Sequence, residues 1–231
     1  GNLVRIIKQH NPDTLAIPEI KTNVKDIESM NEFKHTLEVL GYKHCIWNSC
    51  SKVVTNSTER PSHYYGIAVF SKQEITDIQF GVGDKEIDRE GRTITGTINN
   101  MTIIWTYNPC SGWNDESPRT EIRKRYDIAL RKHYKLTQER TKHQVFISGD
   151  MNIAHRVNDR NIRRKVKEID SWPSCRAKEI ERHDELLQDC NLEDTYYKLH
   201  GETFTHDGKL NTKHHSWIES RSKEKQCSKR Q

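Results

Sequence analysis

An α/β sandwich of mixed or antiparallel sheets is the fold class that this sequence predicts, and three observations predict it. Short apolar runs of strand length outnumber the helical stretches. Several neighbouring runs are joined by hairpin-type turns, and the helical stretches fall between groups of strands. A doubly wound parallel sheet would instead alternate one strand with one helix throughout.

Leu3, Ile6 and Ile7 have helical spacing ahead of Asn11-Pro12, where the residue before proline is pushed out of the helical region and the helix should end. Thr14 to Ile17 reads as a short buried strand closed by Pro18-Glu19. Ile27, Met30, Phe33, Leu37 and Leu40 line one face of a second helix, with Gly41 as its C-terminal cap. Gly66 to Phe70 (GIAVF), Arg92 to Ile98 (RTITGTI) and Met101 to Thr106 (MTIIWT) are three further strands. Asn99-Asn100 between the last two predicts a tight hairpin, because Asn tolerates positive φ. From Pro118 to about Thr137 the chain is long, basic and helical in period. Gln144 to Ser148 (QVFIS) is another buried strand, ending in Gly149-Asp150. Ala177 to Cys190 is a last helix, with Ile180, Leu186, Leu187 and Cys190 facing inward.

No repeat, linker or low-complexity tract interrupts the chain. One domain is expected to about residue 220, followed by a basic polar tail, Arg221 to Gln231. That tail reads as a frayed end more readily than as a nucleic-acid-binding arm. Of 231 residues, 31% are charged and only 32% belong to the apolar set, which is thin for a core of this size. No run approaches the roughly 18 apolar residues of a membrane span. Gly1 to His10 lacks the apolar core of a secretory signal. Five Trp, eight Tyr and five Phe argue against disorder. The net charge of +5 is compatible with a polyanionic partner without requiring one. Six cysteines without a CxxC pair (Cys45, Cys50, Cys110, Cys175, Cys190 and Cys227) read as reduced thiols of an intracellular protein.

Three features at strand ends carry chemistry. Glu19 directly follows the first strand. Asp150 and Asn152 share one turn after another strand, with Gly149 letting the backbone bend. Tyr107 stands at a third strand end before Asn108-Pro109. Each has an ordinary reading: a solvated Glu-Lys pair, an Asx-type turn, a half-buried ring with a wet hydroxyl. Together, hard oxygen ligands and an amide suit Mg²⁺, which binds carboxylates and phosphate oxygens and keeps several waters. Beside basic helices, such a set suits cleavage of a phosphodiester. Arg119, Arg123, Lys124, Arg125, Arg131 and Lys132, with Arg156, Arg160, Arg163, Arg164 and Lys165, are expected to form a phosphate-tracking surface diluted by Glu121, Asp127 and Asp159. His206, His214 and His215 read as solvated loop residues rather than metal ligands.

Five segments then resemble, in order, the exonuclease III/class II AP endonuclease branch of the endonuclease/exonuclease/phosphatase (DNase I-like) family. They are IPEIK (Ile17 to Lys21), HYYGIAVFSK (His63 to Lys72), GVGDKEIDREGRTI (Gly81 to Ile94), TYNPCSG (Thr106 to Gly112) and SGDMNIAH (Ser148 to His155). GVGDKEIDREGR carries no catalytic residue, yet it resembles the AP endonuclease branch in particular. The resemblance implies a four-layer α/β sandwich of two mixed, largely antiparallel sheets flanked by helices. The family's opening W-N-x-N-G strand and its closing R-x-D and S-D-H strands are not found, so a fold incomplete at both ends is expected.

Carried over residue by residue, the resemblance makes Glu19 the principal Mg²⁺ ligand in a metal set completed by Asp150 and Asn152, with Mn²⁺ as the alternative ion. Tyr107 places or polarises the scissile phosphate. Asp150 activates the attacking water, and Asn152 holds the phosphate and the metal-site network. Tyr64 clamps a flanking phosphate, and Arg156 belongs to the DNA-binding surface. Phe204 walls a pocket for a flipped-out abasic sugar, although Thr205 stands where the family has Trp. Glu219, in Ser216-Trp217-Ile218-Glu219, is a stand-in for the Asp of the R-x-D strand. The implied function is Mg²⁺-dependent hydrolysis of DNA 5′ to an abasic site in base-excision repair. The implied partner is double-stranded DNA, bound by a monomer with no membrane association, in the nucleus if the source is a eukaryote. The alternatives are the endonuclease module of a non-long-terminal-repeat retrotransposon and a catalytically impaired DNA-binding remnant.

Overall fold

The structure is a computed structural model that describes residues 2–21, 31–51, 65–112, 116–156, 159 and 172–200. Tyr64, Phe204, Glu219, the three loop histidines, Arg160 to Lys165, Cys227 and the basic tail lie outside the described residues. The chain forms two compact units, Gly1–Asn152 and Ile153–Gln231.

The first unit is built from two sheets. In the three-stranded sheet, β3 (Gly66–Ser71) is central and pairs antiparallel with both β1 (Thr14–Pro18) and β2 (His44–Ser49). The four-stranded sheet has the order β4 (Thr76–Phe80), β5 (Thr93–Ile98), β6 (Met101–Tyr107), β7 (Gln144–Asp150). Its first two pairings are antiparallel, and β6/β7 is parallel. That parallel step requires a crossover, which α3 (Pro118–Arg140) supplies. The architecture is therefore largely antiparallel, as expected, but only the four-stranded sheet is mixed; the three-stranded sheet is wholly antiparallel. Sequence periodicity misses β2 and β4. In β2 (HCIWNS) polar residues interrupt the apolar run, and β4 (TDIQF) is an edge strand with most residues exposed, so burial imposes no alternation on it.

Alternation along β5 explains the layering. Ile94 and Ile98 join Ile67, Val69, Ile75 and Trp105 in the core between the sheets. Gly96 shares that face because a Cβ there would lie 2.5 Å from the Ile75 side chain. Thr93 and Thr95 project to the opposite face, where α3 covers them. Thr93 and Thr106 both hydrogen-bond the Tyr126 hydroxyl, at 2.5 and 2.6 Å, and Thr95 bonds His133 at 2.8 Å. Buried hydroxyls are tolerated there because each finds a partner.

The outer face of the three-stranded sheet is covered by α1 (Asn2–His10) and α2 (Asn31–Val39). Ile7, Leu37, Tyr42, Ala68 and Phe70 form that second core. Asn11, at φ 44°, closes α1 by donating to the Ile7 carbonyl at 2.7 Å. Gly41, at φ 96°, ends α2 as expected. Its N–H bonds Glu38, and that of Tyr42 reaches back to Leu37 at 3.0 Å.

In the second unit, α4 (Ala177–Asp189) buries Leu186, and α5 (Thr195–His200) follows it. Cys190 is buried at the C-terminal end of α4, while Ile180 and Leu187 are partly buried. All five cysteines among the described residues are free thiols. Among the described residues no helix is long and apolar enough to cross a membrane.

Candidate active site

Parallel pairing makes β6 and β7 end at the same level, with Tyr107 and Asp150 as the last paired residues. The carboxyl ends of adjacent parallel strands are a favoured place for a ligand, because backbone and side chains fan out there from a rigid base. Gly149 allows the approach. It has φ 148°, and a Cβ on it would sit 1.8 Å from the Thr106 carbonyl oxygen. The glycine thus serves close contact between strands, whereas the sequence reading assigned it to a bend.

Glu19 comes from the other sheet, immediately after β1, and holds an unusual φ of 54°. Lys21 and Asn152, at 47° and 46°, share that left-handed region. Positive φ in non-glycine residues is costly and concentrates at functional sites. The Tyr107 hydroxyl donates to Glu19 Oε1 at 2.6 Å, and Lys21 Nζ lies 3.0 Å from Oε2. The bond from Tyr107 is the main reason that the Glu19 carboxyl stays below its ordinary range; Lys21 adds to it and burial opposes it. Burial first, and Glu19 second, push the Tyr107 hydroxyl well above the usual tyrosine range. Tyr107 is therefore a protonated donor at neutral pH. Its ring is buried, which corrects the half-buried, wet reading of that residue.

Asp150 is exposed at the strand end, and its Oδ1 accepts the Asn152 N–H at 2.9 Å. Asn152 in turn donates from Nδ2 to the Asn108 carbonyl at 2.8 Å, while the Asn108 N–H bonds the Asp150 carbonyl, also at 2.8 Å. The loops after β6 and β7 are thereby laced together. Glu19, Tyr107, Asp150 and Asn152 thus all stand at strand ends of the first unit.

Among the described residues no three of His, Cys, Asp and Glu converge as a metal cage. Mg²⁺ does not require one, since one or two carboxylates with waters and phosphate oxygens suffice. The ionised, half-exposed Glu19 carboxylate fits such a role.

Sequence reasoning missed the support behind Tyr107. The Arg92 guanidinium lies 3.9 Å from the Tyr65 ring centre and 4.5 Å from that of Tyr107, and it donates to the Tyr107 carbonyl at 3.1 Å. Glu90 holds Arg92 at 2.5 Å and also accepts two bonds from Arg119. Glu90 and Arg92 are fully enclosed. The signal was present in GVGDKEIDREGR: an acid and a base two residues apart on either side of a glycine. Gly91, at φ 65°, supplies the turn between them.

The expected basic surface is corrected in part. Arg123 is buried against Asp127, Arg119 is committed to Glu90, and Arg125 pairs with Asp84 and Glu86. Helical spacing places these residues on α3, but apart from Asp127 on the same helix the acidic partners come from segments far away in sequence. In the second unit, the Arg156 guanidinium sits 3.2 Å from the Tyr197 ring centre and 3.4 Å from Asp194. In the same unit His155 bonds Asp184 at 2.6 Å.

Residues 1–214 match the Endonuclease/Exonuclease/phosphatase family. The chain is 29% identical over 153 residues to an exodeoxyribonuclease of Bacillus subtilis, covering 66% of this chain and 52% of that protein. It is 27% identical over 157 residues to the DNA repair nuclease APEX1 of Danio rerio, covering 66% and 44%. The chain therefore spans about half the length of these curated relatives. Its fold is like that of the 3′ phosphatase NExo from Neisseria bound to a product DNA hairpin. The TM-score is 0.68 at 22% identity, over 90% of this chain and 74% of that one.

Proposed function

The chain belongs to the Endonuclease/Exonuclease/phosphatase family, and from that premise we propose that it is a Mg²⁺-dependent phosphodiesterase acting on DNA. We take its activity to be of the AP endonuclease/exonuclease III type, hydrolysing the backbone 5′ to an abasic site. The observation that carries this reading is the Tyr107–Glu19 hydrogen bond of 2.6 Å beside Asp150, which ends β7 in register with Tyr107. A donor, a metal-competent carboxylate and a second, exposed carboxylate thus occur together at one edge of the sandwich.

Each residue has a role set by its chemistry. Glu19 holds the cation through its ionised carboxylate. When bound, the cation neutralises charge on the attacked phosphate and on the leaving oxygen. Tyr107, protonated at neutral pH, has a single hydroxyl proton to donate. It points this at Glu19 in the free protein and turns it to a phosphate oxygen when DNA is bound, a contact that strengthens as negative charge builds there. Asp150 accepts the proton of the attacking water. Asn152, held by Asn108, fixes the loop from which Asp150 acts.

The test is incision of a duplex with one abasic site, in Mg²⁺ and in EDTA, by the parent, Glu19→Ala and Asp150→Asn. Duplexes ending in a 3′ phosphate or a recessed 3′ end serve as parallel substrates. Metal-dependent nicking that disappears in both variants, with DNA affinity retained by Asp150→Asn, is the expected result. Parent-rate cutting by Asp150→Asn would remove Asp150 from its role. Turnover only of the 3′-end substrates would replace the abasic assignment by a 3′-processing one.

A further inference from the structure

We infer that Arg123 is a positioning residue that ties the two active-site loops to each other, an inference resting on the roles proposed above for Tyr107, Asp150 and Asn152. Arg123 stands near the start of α3, with its side chain only 2% exposed. Its Nε faces the Asp127 carboxylate one turn on, at 2.8 Å from Oδ1 and 3.0 Å from Oδ2. That pair fixes the plane of the guanidinium and leaves the two terminal nitrogens pointing at backbone.

Nη1 donates to the carbonyls of Pro109 and Asn152, at 3.0 and 2.8 Å, and Nη2 donates to the carbonyl of Met151 at 3.1 Å. Pro109 lies in the loop after β6, two residues past Tyr107. Met151 and Asn152 belong to the loop after β7, directly past Asp150. One planar group therefore bonds both loops, at the positions where they leave the sheet.

This geometry does what the two direct loop-to-loop bonds do not. Those bonds link the loops to each other, whereas Arg123 links both to the rigid body of a long helix. It also helps to hold Asn152 at φ 46°, a conformation that needs outside support. A lysine in the same place would keep the charge opposite Asp127, but its single nitrogen has no planar fork with which to bridge three carbonyls. A purely structural ion pair would require none of the three.

Two variants of the full chain separate positioning from stability. Arg123→Lys keeps the charge pair. The double variant Arg123→Met/Asp127→Leu removes both charges, so that no buried carboxylate is stranded. On the abasic duplex with Mg²⁺, kcat is expected to fall about tenfold in Arg123→Lys and about a hundredfold in the double variant, with KM unchanged. Melting temperatures should stay near the parent value. In both, the Asn108 amide, bonded to the Asp150 carbonyl, should exchange its hydrogen about tenfold faster while the β3 amides keep the parent rate. Parent-rate turnover in the double variant, or an unchanged Asn108 exchange rate, would overturn the inference. A parent chain that cuts no DNA would refute the nuclease reading instead, and the Asn108 exchange rate would still decide whether Arg123 ties the loops.

Discussion

The hydroxyl of Tyr107 meets Glu19 across 88 residues of chain, and each residue alters the chemistry of the other. Tyr107 holds the carboxyl below its ordinary range, and Glu19, after burial, helps to hold the phenol above its own. Replacing Tyr107 by Phe removes one bond and leaves the ring. The Glu19 carboxyl should then rise toward the ordinary glutamate value, which NMR titration of its side-chain carbon would follow. Loss of one such donor should also lower kcat by about a hundredfold. A Glu19 titration unchanged in Tyr107→Phe would mean that the bond does not form in solution. The identities of these residues were legible from their places after apolar strands, and their mutual contact was not. A Glu before Lys at a strand end looks the same whether it pairs only with that Lys or also with a buried phenol.

At the scale of elements, β5 was the most readable, because its alternation of Thr with Ile and Gly matches a strand with two covered faces. The hairpin to β6 was also readable: Ile98 pairs with Met101, and Asn99 takes the predicted positive φ of 53°. The β6/β7 pairing was not, since nothing local to Gly149 announces that another strand passes so close. Gly149→Ala is predicted to destabilise the fold by about 3 kcal/mol, from a forbidden φ and a Cβ driven into the Thr106 carbonyl. Equilibrium denaturation measures this. A change below about 0.5 kcal/mol, the size of an ordinary surface substitution, would show that β7 shifts freely.

For the whole molecule, Glu90 is the buried charge on which the others depend, since Arg92 and Arg119 both converge on it. Burial alone would raise its carboxyl pKa. The bond from Arg119 and the charges of Arg92 and Arg119 outweigh this, and the group sits below its ordinary range. Its stabilising contribution is therefore complete above the ordinary glutamate value of about 4.3 and is lost as pH falls through the lower folded value. Glu90→Gln should cost about 3 kcal/mol at neutral pH by leaving two buried cations uncompensated. The gap in stability between parent and variant should narrow as the pH drops below about 4. A gap that stayed constant down to strongly acid pH would mean that Glu90 is not ionised in the fold.

Most of the local elements, and the chemical groups available for reaction, were determined by the sequence alone. Periodicity, caps and turn residues act over a few neighbouring positions, so they can be read without knowing what lies opposite. Tertiary structure alone decided which charges do chemistry and which hold the frame. Arg119, Arg123 and Arg125 share one helix and look alike as letters. Yet Arg119 and Arg125 pair with carboxylates tens of residues away, and Arg123 pairs with Asp127 on its own helix while bonding carbonyls of two distant loops. Burial and fixed geometry, rather than residue type, withdrew Arg119 and Arg123 from an expected phosphate-binding face and made them clamps behind the candidate site.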